Sequence, residues 1–209
     1  MRRYKCIIFD LDGTMLDTEE MNIIPLQNLI KEELGKDVDY DDLLKYRAYA
    51  GKKTLKLLGF KDIERSYAKW VKYVNEYKDG AKLYDGFHEV IKSLNKNGVL
   101  CGISSSKMKE QYEVDFFKTG LQGYMKSVVL AEDTDNHKPH PEPLLKAVEI
   151  LDIDPKDSLY IGDTIVDYKA AKSAGMDFGL AVWGAYDTSE IEADYNLNEP
   201  KDILRVLEL

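Results

Sequence analysis

The chain has 209 residues, 44% of them hydrophobic and 32% charged, with a formal net charge of −9. This is an ordinary globular composition, long enough to bury a real core as one large domain or as a domain with a moderate insertion. The acidic balance argues against nonspecific nucleic-acid binding and against attraction to anionic membranes, and no apolar stretch approaches the length of a bilayer span.

The first predicted element is a strand, Cys6–Phe9, preceded by the basic Met1-Arg2-Arg3-Tyr4-Lys5. Its apolar run stops at Asp10, too short for a signal peptide, so a cytoplasmic protein is expected. A continuous apolar run of this kind reads as a strand buried on both faces. It leads into Asp10-Leu11-Asp12-Gly13-Thr14. Alternation sends the Asp10 and Asp12 side chains the same way, Gly13 lets the chain turn, and Thr14 brings a small donor close to the carboxylates. Two like charges this close raise each other's pKa or need a cation between them, and a hard divalent cation with oxygen ligands suits the pair. An isolated Asp-Gly is otherwise a common turn signal, so the weight of this stretch depends on the polar groups further along the chain.

Residues 17–82 carry no convincing strand. Thr18 followed by Glu19 and Glu20 reads as a helix N-terminus, and Ile23, Leu26, Ile30 and Leu34 recur at helical spacing. Further helices are predicted over 40–48, 52–58 and 62–78, with Trp70, Val71 and Val74 on the core side and the tyrosines and lysines on a solvated face. After residue 82, short apolar runs alternate with helical patterns, the signature of βαβ units and a parallel sheet. The predicted strands are 99–103, 127–130, 159–161 and 178–182, and the predicted helices 86–97, 108–118, 141–151 and 165–174. Asp85-Gly86 and Asn97-Gly98 bracket the first of these helices, and Pro141 opens the third. Cys6 and Cys101 both fall in predicted buried strands and read as packed thiols. The fold expected is therefore α/β: a Rossmann-like parallel sheet over 1–16 and 83–209, with an inserted all-helical domain over 17–82.

Several polar groups fall at or near predicted strand ends. Ser104-Ser105-Ser106-Lys107 follows 99–103, and Lys138 lies in the segment after 127–130. Gly162-Asp163 follows 159–161, with Asp167 at the start of a helix. Singly, these read as a loop, a surface charge and helix caps. Together they converge on the one edge where open α/β sheets bind ligands, and the chemistry they suit is phosphoryl transfer. Asp10 is placed as nucleophile and Asp12 as the acid/base that protonates the leaving oxygen and then activates water. Mg²⁺ held by Asp10 and Asp163, with the Asp12 backbone carbonyl, would neutralise the phosphate. Thr14, Ser105, backbone N–H groups near Ser106, and Lys138 would contact phosphoryl oxygens, Lys138 also keeping Asp10 ionised. His137 and His140 flank Lys138 and suit loop hydrogen bonds, His88 the surface, and Trp183 core or dimer packing.

With these residues in place, the chain resembles the haloacid dehalogenase superfamily, in the branch holding phosphoglycolate phosphatase and β-phosphoglucomutase. Four motifs occur in order: Phe9-Asp10-Leu11-Asp12-Gly13-Thr14, a Ser after an apolar strand (Ser105, or Ser104 one residue earlier), Lys138 in Lys-Pro-His-Pro-Glu-Pro, and Gly162-Asp163 with Asp167. The resemblance implies a helical cap that opens and closes over the site. It also implies Mg²⁺-dependent hydrolysis of a small phosphorylated metabolite through an aspartyl phosphate. Asp10, Asp12, Ser105, Lys138 and Asp163 take the roles given above, and Asp167 supports the metal through its waters or through Lys138. Arg47 followed by Gly51 is similar to a cap pattern whose arginine faces the substrate. A sugar-phosphate mutase is the alternative within the enzymes, although that branch usually has Glu where this chain has Gly162. A catalytically idle binding protein is the third reading, and the intact Asp10, Asp12, Lys138 and Asp163 speak against it. A monomer or a homodimer is expected.

Overall fold

The computed structural model describes residues 4–47, 49 and 51–209. In chain order the strands are β1 (Cys6–Phe9), β2 (Leu16–Asp17), β3 (Lys82–Leu83), β4 (Leu100–Ser104), β5 (Met125–Val129), β6 (Ser158–Gly162), β7 (Asp177–Ala181) and β8 (Tyr195–Leu197). The α-helices are α1 (Glu19–Leu34), α2 (Tyr40–Leu44), α3 (Gly51–Leu58), α4 (Ile63–Asn75), α5 (Phe87–Lys96), α6 (Lys109–Phe116), α7 (Glu142–Leu151), α8 (Ile165–Ala174) and α9 (Asp202–Val206). By contacts the chain divides into two compact units, Met1–Asp17 with Leu83–Leu209, and Thr18–Lys82.

The first unit is built on a parallel sheet of order β5-β4-β1-β6-β7-β8. All four residues of β1 are fully buried, which is why the strand is apolar at every position rather than at alternate ones. Ile8 joins Tyr160, Phe178, Leu144, Val148, Ala170 and Ala171 in the core under α7 and α8. Alternation turns Phe9 to the opposite face, where it meets Phe87 of α5 edge-on with ring centroids 5.9 Å apart. From β1 the chain winds outward through β4 and β5 on one side and through β6, β7 and β8 on the other. The direction reverses between β1 and β6, and at such a switch point the carboxyl ends of the strands leave a crevice.

The second unit is helical. Ile23, Leu26, Leu29 and Ile30 of α1 form its core with Leu43, Leu55 and Phe60. The indole N–H of Trp70 donates to the Asn22 carbonyl at 3.1 Å. Here the structure corrects the expectation of a solvated tyrosine face: Tyr40, Tyr46, Tyr67 and Tyr73 pack against this core. A tyrosine can do both, burying its ring while its hydroxyl reaches a carboxylate, as Tyr40 does to Glu19 (2.9 Å) and Tyr73 to Glu32 (2.6 Å).

Predicted and observed elements of the sheet differ by one or two residues at their ends. Three features escaped sequence reading: the short β8 and α9, and the ladder β2–β3, which puts Asp17 and Lys82 in strands. The predicted helix 40–48 ends at Leu44, and Ala48 lies outside the described residues. Cys6 and Cys101 are buried free thiols, pushed up by burial to about 11 and about 12. Among the described residues no helix is long and apolar enough to cross a membrane.

The loop after β7 closes on the loop after β1. The Trp183 indole N–H donates to the Thr14 carbonyl at 2.9 Å, and a Cβ at Gly184 would lie 1.7 Å from the Gly13 carbonyl oxygen. Because the obstacle is backbone, no rotamer relieves it. Gly184→Ala is expected to cost about 1–3 kcal/mol, a fall in Tm of roughly 2–12 °C by calorimetry. Gly123→Ala, which meets nothing within 4 Å, is the matched control. Equal Tm values for the two variants would contradict the packing described.

Candidate active site

The site grows from the ends of β1 and β6. The Asp10 N–H donates to the Ile161 carbonyl at 2.9 Å, so pairing continues one residue past β1 and holds Asp10 beside the end of β6. The chain then turns at Gly13 (φ 77°), where a Cβ would fall 2.2 Å from Asp163 Oδ2. Glycine is required there both by the backbone and by the closeness of the carboxylate. The Thr14 hydroxyl, fully buried, donates to Asp163 Oδ1 at 3.0 Å.

Asp167 is fixed by the start of α8. Thr164 Oγ1 accepts from the Asp167 N–H, and Asp167 Oδ2 accepts from the Thr164 N–H (3.1 Å) and hydroxyl (2.5 Å). This reciprocal cap leaves Oδ1 for the interior. Lys138 meets it there: its ammonium donates to Asp167 Oδ1 (2.6 Å), Asp10 Oδ1 (2.7 Å) and the Tyr160 hydroxyl (2.8 Å), with the Ser104 carbonyl further off at 3.4 Å. The three short contacts match its three protons. The Tyr160 hydroxyl in turn reaches Asp167 Oδ1 (2.9 Å) and the Ser104 carbonyl (3.3 Å).

The charges do not balance within this group. Burial drives the Asp10 carboxyl up, Lys138 pulls it down, and the negative charges of Asp167 and Asp12 push it up again, leaving it at about 7. Burial acts the same way on Asp167, but Lys138 and the hydrogen bonds from Lys138, Thr164 and Tyr160 hold that carboxyl below its ordinary range. Lys138 itself is held above the ordinary lysine range, since Asp10 and Asp167 overcome the burial that would discharge it. One ammonium thus serves two buried carboxylates, with Asp163 beside them. Ligand oxygens of Asp10, Asp163 and Asp167 lie within 4.8 Å of one another. An all-oxygen, carboxylate-rich set with excess negative charge fits a hard divalent cation such as Mg²⁺.

The structure therefore brings Asp10, Lys138, Asp163 and Asp167 together. Asp12 is adjacent, but its carboxylate stands outside the three-carboxylate group: its Oδ1 lies 3.2 Å from the Lys107 ammonium. Sequence reading gives Thr14 a phosphate contact, whereas its hydroxyl donates to Asp163 instead. Ser104 ends β4 fully buried, its hydroxyl without a hydrogen-bond partner among the described residues. Ser105 follows the strand, 6% exposed, with its Oγ accepting from the Lys107 N–H at 3.2 Å. Ser106 is exposed. Arg47, expected at the substrate, is ion-paired to Glu19 at 2.6 Å within the helical unit. His140 Nδ1 accepts from the Glu142 N–H, a loop contact, and His88 is exposed. Tyr160 and Lys107 were missed as site residues. The signal for Tyr160 was a phenol in the middle of a buried apolar strand, since a buried hydroxyl needs a partner.

The chain is similar to known proteins along nearly its whole length. Residues 7–181 match the family model of haloacid dehalogenase-like hydrolases. Pyrophosphatase PpaX of Bacillus cereus (strain B4264) is 27% identical over 209 residues, covering 98% of this chain and 97% of the relative. A crystal structure of a candidate phosphoglycolate phosphatase from Lactobacillus plantarum superposes with a TM-score of 0.90 at 26% identity, covering 98% of this chain and 99% of the other. A β-phosphoglucomutase structure from Clostridium difficile gives a TM-score of 0.78 over 96% of this chain and 93% of its own; at 19% identity it shows a shared fold alone.

Removing the shared cation tests the electrostatics. In Lys138→Met, Asp10 and Asp167 lose the charge that holds their carboxyls down, so both titrate above their unfolded-state values. The folded form then binds more protons than the unfolded one, and stability falls as pH rises. The variant in EDTA is expected to lose about 3–5 kcal/mol at pH 8, measured by denaturant unfolding, with the deficit shrinking toward pH 5. A deficit independent of pH would show that Lys138 does not act through its charge.

Proposed function

The chain belongs to the haloacid dehalogenase-like hydrolase family, and from that premise we propose that it is a Mg²⁺-dependent phosphatase acting on a small phosphorylated metabolite through an aspartyl phosphate. The observation that carries the reading is the meeting of Asp10, Asp163 and Asp167 within 4.8 Å beside an ammonium 2.7 Å from Asp10.

In this reading an Asp10 oxygen attacks phosphorus, the bond to the leaving oxygen breaks, and Asp12 gives that oxygen its proton. Asp12 then takes a proton from water as the water oxygen bonds to phosphorus and the Asp10–phosphorus bond breaks, releasing inorganic phosphate. Lys138 supports the ionised form of Asp10 and stabilises phosphoryl charge, and Ser105 supplies a hydroxyl at the strand end. Asp10 and Asp163 would hold Mg²⁺ with the Asp12 backbone carbonyl, supported by Asp167, and the ion would supply charge neutralisation at the phosphoryl oxygens. Thr14 keeps Asp163 in place. The helical unit is read as the cap that selects the leaving group, and a cytoplasmic monomer or homodimer completes the reading.

Hydrolysis is favoured over mutase chemistry by Gly162, where the mutase branch usually carries a glutamate, and by the pyrophosphatase name of PpaX, a relative matched over nearly the full chain. Pyrophosphate and 2-phosphoglycolate are accordingly the first substrates to assay, within a wider panel of sugar phosphates and nucleoside monophosphates. The expected outcome is Mg²⁺-dependent phosphate release from p-nitrophenyl phosphate and at least one panel member, abolished by EDTA. Asp10→Asn should lower kcat by ~10³-fold or more. Full activity in Asp10→Asn would remove Asp10 as nucleophile, and an isomeric sugar phosphate formed without phosphate release would favour the mutase.

A further inference from the structure

Beside the site lies a second buried ammonium that the steps above do not use. Lys107 follows the serine run, and its backbone is pinned on both sides: its N–H donates to Ser105 Oγ at 3.2 Å, and its carbonyl accepts from the Ala131 N–H at 3.0 Å. Its side chain is 8% exposed and runs inward to Asp115 on α6, which is equally buried, at 2.5 Å. The same ammonium lies 3.2 Å from Asp12 Oδ1. Beyond this ion pair that oxygen has no hydrogen-bond partner among the described residues, and it is shielded from solvent, although the Asp12 side chain as a whole is 37% exposed. The exposure therefore belongs to the rest of the side chain. One carboxylate oxygen is turned inward to a fixed cation, and Oδ2 is the one left for chemistry.

We infer that Lys107 is a positioning residue for Asp12: clamped by Asp115, its ammonium holds Asp12 Oδ1 inward and so fixes the direction in which Oδ2 meets the leaving group. The inference rests on the reading of Asp12 as acid/base. A long lysine chain alone would hold nothing firmly, because its rotamer freedom is large. The buried pairing to Asp115 and the two backbone hydrogen bonds remove that freedom before Asp12 is engaged. Lys107 thereby links three parts of the site, the Ser105 strand end, the α6 helix and the loop carrying Asp12.

The test compares a leaving group that needs a proton with one that does not. Lys107→Met is expected to lower the single-turnover rate of leaving-group release from 2-phosphoglycolate by about 10²-fold with substrate affinity little changed, and the same rate from p-nitrophenyl phosphate, whose phenolate leaves unaided, by far less; the later hydrolysis at Asp10, which needs Asp12 on both esters, lies outside this readout. In an Asp12→Asn background the same substitution should cost nothing further. Equal losses on the two esters, or full additivity with Asp12→Asn, would overturn the role. Should Lys107→Met leave Asp115 unpaired and fail to fold, Lys107→Met/Asp115→Asn removes both charges together and carries the same expectations. A crystal structure of whichever variant folds separates this inference from the reading beneath it. An Asp12 carboxylate rotated out of its position supports the clamp even if Asp12→Asn proves fully active on both esters, and an unmoved carboxylate overturns the clamp whatever the turnover.

Discussion

The Lys138 ammonium stands 2.7 Å from Asp10 and 2.6 Å from Asp167, and the proximity of the buried acids depends on that one cation. Carboxylates taken out of water lose several kcal/mol of hydration each, and mutual repulsion adds to the loss. A single ammonium with three well-directed protons offsets much of this, but not all of it, and the remainder explains why the Asp10 carboxyl stays raised, at about 7. The protein has built a place that is complete in shape and deficient in positive charge. An all-oxygen group with that imbalance is one whose charge a hard divalent cation would offset.

Much of the surrounding structure serves to keep that lysine and its acids still. Asp167 is held by the Thr164 cap before Lys138 reaches it, Tyr160 rises from the middle of β6 to fill the ammonium's third bond, and Thr14 and Gly13 close on Asp163 from the other strand. Each of these contacts is polar, buried and partnered, and buried polar groups are tolerated when their partners are supplied. Rigidity here comes from satisfied hydrogen bonds as much as from apolar packing.

Sheet and site differed in how far they could be read from the residues. The strands of the parallel sheet were legible because burial on both faces writes an uninterrupted apolar run, and polar residues at the run's end then mark the crevice. The short β8 was not, since Tyr195–Leu197 alternates partly exposed, exposed and buried and is only three residues long. Asp10, Lys138, Asp163 and Asp167 could be anticipated as neighbours because each stands at or beyond a strand end. Which acid a lysine chooses is another matter. Lys107 turned to Asp12 and Asp115, and Thr14 turned to Asp163, because of side-chain directions that only the folded backbone determines. The tyrosines of the helical unit misled for a related reason: an amphipathic residue at a half-buried position has no distinctive spacing.

The strand order has a consequence for the time at which the molecule acquires its chemistry. β1 leaves the ribosome before the other strands of its sheet yet sits in the middle of it, and one of the two strands that flank it begins 152 residues later, at Ser158 opposite Cys6. Until that late segment has been synthesised, Asp10 has no Ile161 carbonyl to hold its amide and no Asp163 beside it. A nascent chain can therefore carry the whole of its helical unit, folded or not, and still lack the group formed by Asp10, Asp163 and Asp167. The acidic group of the candidate site is thus among the last features of the sheet to form, because its members come from segments made far apart in time.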